Sequence, residues 1–187
     1  MSRCLIACEF SGIVRDAFAA KGWDSWSCDL LPTEKPGNHI QDDVLKHLDD
    51  GWDLMIGHPP CTFLALCQAW RCNRDKERAK QREIAVEFAK TLWISKIPRI
   101  CLENPKSILT TRMCKKHQTI HPWQFGHGET KTTWLWLKNL PPLKPTNIVE
   151  GREQKIFKMS PGPNRSKDRS RTYPGIANAM AEQWGAL

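Results

Sequence analysis

Arg3-Cys4-Leu5-Ile6-Ala7-Cys8-Glu9-Phe10-Ser11-Gly12-Ile13-Val14-Arg15-Asp16-Ala17-Phe18-Ala19-Ala20 runs from a short apolar stretch through an acid and a glycine turn into a helical pattern. The spacing predicts a buried strand over Cys4–Cys8 and a helix over Ile13–Ala20, stopped near Gly22. The same alternation recurs along the chain. Further strands are expected over Ser25–Leu31, His39–Val44, Trp52–Ile56, Ile97–Leu102 and Thr133–Leu137, with a helical turn over Leu45–Leu48. A long helical stretch should turn Ile84, Ala85, Phe88, Ala89, Leu92 and Trp93 to the core. Asn139–Thr146 is a Pro-rich turn region, Gly151–Thr172 is polar, basic and aperiodic, and Pro174–Trp184 reads as a final helix. Strands alternating with helices predict an α/β, doubly wound, Rossmann-like sheet with helices on both faces. In such sheets ligands bind at the carboxyl ends of the strands.

The 187 residues suit one domain, 1–187, with 40% hydrophobic and 26% charged residues. The first apolar run is too short for a signal-peptide core, and no run approaches the ~20 residues of a bilayer span. A cytoplasmic protein with no membrane partner is therefore expected. The formal charge of +8 fits a polyanionic partner such as nucleic acid, or a solvated surface that happens to be basic. Eight cysteines scattered through strand-like runs, with no Cys-x-x-Cys pair, fit reduced thiols better than disulfides. Cys67 and Cys72 lack a zinc-ligand spacing, so no metal is expected.

Four constellations carry chemistry. Glu9-Phe10-Ser11-Gly12 links a strand to a helix, where glycine lets a ligand approach the backbone. Asp29 ends the second strand, at the distance from the glycine turn that suits a ribose contact, although a turn acid is the plainer reading. Asp43 repeats that placement at the third strand. Gly57-His58-Pro59-Pro60-Cys61-Thr62 is sharper. Two prolines stiffen the backbone after a buried strand and hold one thiol at the sheet edge, which suits a nucleophile. Leu102-Glu103-Asn104-Pro105 ends the next strand in a carboxylate. Burial there should raise its proton affinity and suit it to a base nitrogen.

Taken in order, Phe10-Ser11-Gly12, Asp29, Asp43, Pro59-Pro60-Cys61, Glu103-Asn104 and Tyr173-Pro174-Gly175 resemble the C5-cytosine DNA methyltransferase family, in a compact form such as phages carry. The resemblance implies S-adenosylmethionine as cofactor and cytosine-containing DNA as substrate, in a bacterial or phage-infected host cell. It implies that Phe10 stacks on the cofactor adenine, Gly12 makes room for its methionine part, Asp29 binds the ribose and Asp43 the adenine amino group. Ser11 and Pro59 belong to the same cofactor-binding set. Cys61 would attack C6 of a flipped cytosine while Glu103 holds N3, and C5 would then take the methyl group.

Departures from the family pattern are Val14 for a second glycine, Thr62 after the cysteine and Pro105 after Glu103-Asn104. Glu129-Thr130-Lys131-Thr132-Thr133 stands in place of the family's Gln-x-Arg-x-Arg, with Lys131 in the part of one arginine. The largest departure is the missing target-recognition domain: only the basic segment 138–171 stands in its place. Its Arg165, Lys167, Arg169 and Arg171 can grip phosphates but offer few rigid base-reading groups. Little sequence specificity, a very short site, or help from a protein partner follows. Arg71 and the charges after it would either meet phosphates or form the solvated face of a helix. Two alternatives remain at this point. The same chemistry could act on RNA, single strands or a free cytosine nucleotide. Alternatively the chain is an idle, basic nucleic-acid-binding protein, although binding alone requires neither Cys61 nor Glu103.

Overall fold

The computed structural model describes residues 1–187. Four parallel strands form its centre: β1 (Arg3–Ala7), β2 (Asp24–Cys28), β4 (Leu54–Gly57) and β5 (Arg99–Asn104), with the two-residue β3 (His39–Ile40) at one edge. On the other side β7 (Thr133–Lys138) lies antiparallel to β5 and to the edge strand β6 (Gln118–Ile120). The order is β3-β2-β1-β4-β5-β7-β6. The winding reverses between β1 and β4, which makes that crevice the topological switch point of a doubly wound sheet.

Period-two alternation assigns the side chains to two cores. Cys4, Ile6, Leu54, Ile56, Cys101, Leu135 and Leu137 face α1 (Ile13–Ala19) and α8 (Pro174–Trp184), meeting Val14, Phe18, Met180 and Trp184. Leu5, Ala7, Met55, Ile100, Leu102 and Trp136 face α4 (Lys76–Ile94), meeting Val86, Ala89 and Leu92. The α/β fold with helices on both faces is thus the one the sequence predicts. Burying one such large apolar side chain is worth about 1.5–3 kcal/mol, so these two layers fix the strands that carry the site.

Several elements differ from expectation. The core face of α4 runs through Arg82, Val86, Ala89 and Leu92, and Ile84 is 54% exposed. The apolar residues of that helix do not form one clean stripe, and packing on the sheet chose among them. β6 was not expected, because Gln-Thr-Ile has no alternation and gains its pairing from β7. The basic run after Cys61 divides between α3 (Ala69–Arg74) and α4, where the Asp75 carboxylate accepts from the Glu77 and Arg78 amides and starts the longer helix. Residues 151–172 hold two short helices, α6 (Lys155–Lys158) and α7 (Arg165–Ser170). No helix is long and apolar enough to cross a membrane. All eight cysteines are free.

Candidate active site at the carboxyl edge of the sheet

Four parallel strands and one antiparallel strand deliver the candidate residues to one edge. Glu9 and Phe10 leave β1, Asp29 leaves β2, and Cys61 opens α2 (Cys61–Leu64) just after β4. Glu103 is the penultimate residue of β5 and pairs with Leu135 of β7. Because β7 runs antiparallel, its start lies at this same edge, so Lys131 arrives beside Glu103. Glu103 and Lys131 both line a cavity of about 10 Å³ with Thr133, Thr172, Tyr173 and Ile176.

The backbone under Cys61 is tightly held. Gly57 pairs with Leu102, and a Cβ on it would come within 2.7 Å of a Leu102 methyl, so any larger residue there would push that buried side chain aside. The His58 amide donates to Ala7 O at 2.9 Å. The buried Asn104 side chain donates to Pro59 O at 2.7 Å. Farther on, Ser107 Oγ and the Ile108 amide both donate to Leu64 O. The Pro-Pro-Cys turn is therefore bound on both sides to neighbouring strands.

The electrostatics are coupled. Cys61 is open to solvent, yet the protein around its sulfur removes enough water to push the thiol above its ordinary range. The Glu103 carboxylate adds to this, and Lys131 and Arg169 oppose it. At Glu103, loss of solvent pulls the carboxyl upward. The His58 hydrogen bond at 3.0 Å and the Lys131 charge pull it down further, and the net position is below the usual glutamate range. This corrects the expectation that burial would raise its proton affinity. Burial acts in that direction, but it is outweighed by a histidine that no sequence pattern had assigned to the carboxylate.

The remaining candidates fall into place as follows. Phe10 is buried at the end of β1, with Lys167 Nζ 5.0 Å and Arg171 Cζ 5.9 Å from its ring centre. Gly12 has a left-handed φ of 71°, and a Cβ there would collide with the Arg15 guanidinium, so residue 12 must be glycine on two counts. Ser11 Oγ donates to Glu9 and accepts from the Ile13 amide. Asp29 accepts from the Leu31 amide at 2.9 Å and Asp43 from the Leu45 amide at 3.0 Å, each through one oxygen. Pro59 is buried and supplies the carbonyl that Asn104 clamps.

The basic residues are largely engaged. Arg171 forms a two-pronged ion pair with Glu34 and also meets Asp168. Lys167 lies 3.5 Å from Glu34, and Arg165 donates to Met159 O. The positive charge of Arg169 lowers the proton affinity of Cys61 slightly. Lys131 Nζ donates to Arg169 O at 2.9 Å and Arg171 O at 3.5 Å, tying α7 to the site. Arg71 lies 5.2 Å from the ring of Trp70, which is 56% exposed.

Three residues of consequence lacked a sequence signal. Glu9 is buried, and its carboxyl oxygens accept from the amides of Val14 (2.8 Å) and Arg15 (3.2 Å), filling the start of α1. Arg15 is 1% exposed, and its guanidinium donates to Ser27, Thr33, Lys35 O and Pro36 O, which fixes the loop that follows Asp29. His58 is the third. No group of three or more His, Cys, Asp or Glu side chains is placed to hold a metal ion.

No protein-family model and no curated relative matches the chain. Among solved structures, the Entamoeba histolytica methyltransferase EhMeth aligns over 88% of this chain at 14% identity, with a TM-score of 0.49. The chain spans 61% of the length of that protein.

Proposed function

We propose that the protein transfers a methyl group from S-adenosylmethionine to C5 of cytosine in DNA, through a covalent bond between Cys61 and C6. The observation that carries this reading is the meeting of Cys61, Glu103 and Lys131 at the ends of adjacent strands, close enough for each charge to alter the proton affinity of the thiol.

The residues that follow β1 have a chemistry suited to such a cofactor. The start of α1, which in a dinucleotide site would receive a pyrophosphate, is already filled by the Glu9 carboxyl. An anionic ligand group would be repelled there, whereas a sulfonium or an amino group would be welcome. Asp29 and Asp43 each keep one carboxyl oxygen beyond the one spent on the local turn, as contacts to ribose and adenine require. The Phe10 ring is covered by Lys167 and Arg171, which would have to move aside for it to stack on an adenine. When bound, the cofactor supplies an electrophilic methyl group.

The chain's own residues do the rest. Cys61 must lose its proton, because the Glu103 charge and the removal of water keep the thiol protonated near neutral pH in the free protein. Lys131 and Arg169 stabilise the thiolate, and phosphates drawn to the basic segment compete for Arg169. The sulfur forms its bond to C6, the π electrons move toward N3, and N3 takes up a proton delivered through the Glu103 side chain. C5 then bears electron density and takes the methyl group; its proton passes to water at the open edge, the released pair re-forms the C5=C6 bond, and the sulfur leaves as thiolate.

A second reading keeps this chemistry on an unpaired strand. Trp70 stands exposed next to the Cys61 helix with Arg71 and Arg74 beside its ring, an arrangement that suits stacking of a splayed base. Covalent trapping tests both. An oligonucleotide carrying 5-fluorocytosine should give a complex that survives denaturation with the wild type and none with Cys61→Ala. Duplex, single-stranded DNA and RNA forms identify the preferred strand. Absence of an adduct from every form, with cofactor present, would overturn the reading.

A further inference from the structure

We propose that His58 is a positioning residue for Glu103, holding beside it the proton that the base acquires at N3; the inference rests on the function proposed above. His58 Nδ1 lies 3.0 Å from Glu103 Oε2, and both side chains are nearly closed off, at 10% and 15% exposure. The contact is set by the sheet. His58 follows directly on Gly57, Gly57 pairs with Leu102, and Glu103 follows Leu102, so the two residues stand side by side on adjacent parallel strands. The amide of His58 is fixed to Ala7 O, and the turn after it is clamped through Pro59 O by Asn104. The backbone that carries the imidazole is therefore fixed, and turning the ring away would break its bond to Glu103.

Its other ring nitrogen, Nε2, is buried and has no partner. A purely structural histidine at a sheet edge normally satisfies both nitrogens or exposes one, because an unmade buried hydrogen bond costs about 1–3 kcal/mol. Here one nitrogen is committed to the carboxylate and the other has no protein group to hold it, so Glu103 sets the orientation of the ring. A plain carboxylate at Glu103 has no proton to give. The groups that face the pair are Lys131 before β7, Cys61 at the start of α2 with Arg169 from α7 near it, and Cys101 on β5.

The proton and charge balance as follows. The Cys61 thiolate gives its electron pair to C6, the C5=C6 π pair shifts through C4 to N3, and N3 takes a proton from the Glu103 carboxyl. Glu103 receives that proton from Nδ1 of the imidazolium of His58, which becomes neutral. After methyl transfer the C5 proton passes to water, its bonding pair re-forms C5=C6 as the thiolate leaves, and N3 returns its proton through Glu103 to His58. Glu103 begins and ends as a carboxylate.

Two variants test this. His58→Asn keeps a donor of similar reach and cannot titrate, and His58→Leu removes the bond. Glu103 is followed through carbon-13 carboxyl titration, with Glu103→Gln to assign its signal. His58→Leu should raise the midpoint of Glu103, because the hydrogen bond that holds it down is gone. His58→Asn should lower kcat for methyl transfer by roughly 10²–10⁴-fold. Its KM for the oligonucleotide should stay unchanged, and the limb of the pH profile that the His58 proton supplies should be lost. An unmoved Glu103 midpoint in a folded His58→Leu protein overturns the pairing. A wild-type kcat and pH profile in His58→Asn overturns the proton role. If the wild type gives no adduct with any cytosine substrate while the Glu103 midpoint still moves, the pairing stands and the cytosine reading is what fails.

Discussion

The sheet edge around Cys61 and the basic segment around α7 face each other across the site, and they are held by different forces. The edge is fixed by strand register and by buried hydrogen bonds such as Asn104 to Pro59 O. The segment is held by partly exposed ion pairs, Arg171 and Lys167 with Glu34, and by two carbonyl contacts to Lys131. Buried polar contacts are costly to break, whereas exposed ion pairs are worth about 0–1 kcal/mol each and weaken with salt. The proposed chemistry thus falls on the part that cannot adjust, and the charges that would meet phosphates fall on the part that can.

The largest expected effect lies at the rigid edge. Cys61→Ala should lower methyl transfer by roughly 10⁴-fold or more. Its exposed position means unfolding should shift by no more than about 0.5 kcal/mol, measured by calorimetry. A variant that unfolds would show that the thiol is part of the core and would break the contrast.

Glu103→Gln comes next, with a loss of roughly 10²–10⁴-fold in rate. Because the Glu103 charge pushes the Cys61 thiol upward, the variant should also be alkylated by iodoacetamide at lower pH than the wild type. The same residue carries an acid dependence. Its folded-state carboxyl lies below the ordinary value of 4.5, so its contribution to stability is complete above that value. The contribution is lost as pH falls through the lowered folded value. Glu103→Gln should unfold with a flatter dependence on pH in that acid window, read from urea midpoints.

Asn104→Ala leaves the buried Pro59 carbonyl without its donor and should cost about 1–3 kcal/mol. A cost near zero would mean that the prolines alone hold the turn. The smallest effect on stability belongs to the basic segment. Arg171→Ala should change unfolding by about 0–1 kcal/mol. For nucleic acid binding, each phosphate contact removed by Arg165→Ala or Arg169→Ala should reduce the salt slope by about 0.9, read by fluorescence anisotropy. A large stability loss from Arg171→Ala would show that the segment is a fixed wall of the site.

Much of this arrangement was legible in the chain. The apolar runs marked β1, β2, β4, β5 and β7, and Pro59-Pro60-Cys61 and Glu103-Asn104 marked the ends where side chains meet. Residues whose role depends on a partner distant in the chain were not legible. His58 and Glu103 are 45 positions apart, and Arg15 reaches over 20 positions to Lys35 and Pro36. A short strand such as β6 has no pattern of its own and exists only because β7 offers an edge.

Local hydrophobic period and backbone stiffness therefore settled, from sequence alone, the kind of fold and the placing of a thiol and a carboxylate on successive strand ends. Which way β7 runs, which face of α4 is buried, and the proton affinities of Cys61 and Glu103 were decided only by tertiary structure. The reason is that period reports what must be buried, whereas the charge a group carries depends on water removed and on neighbours brought in by strands remote in sequence.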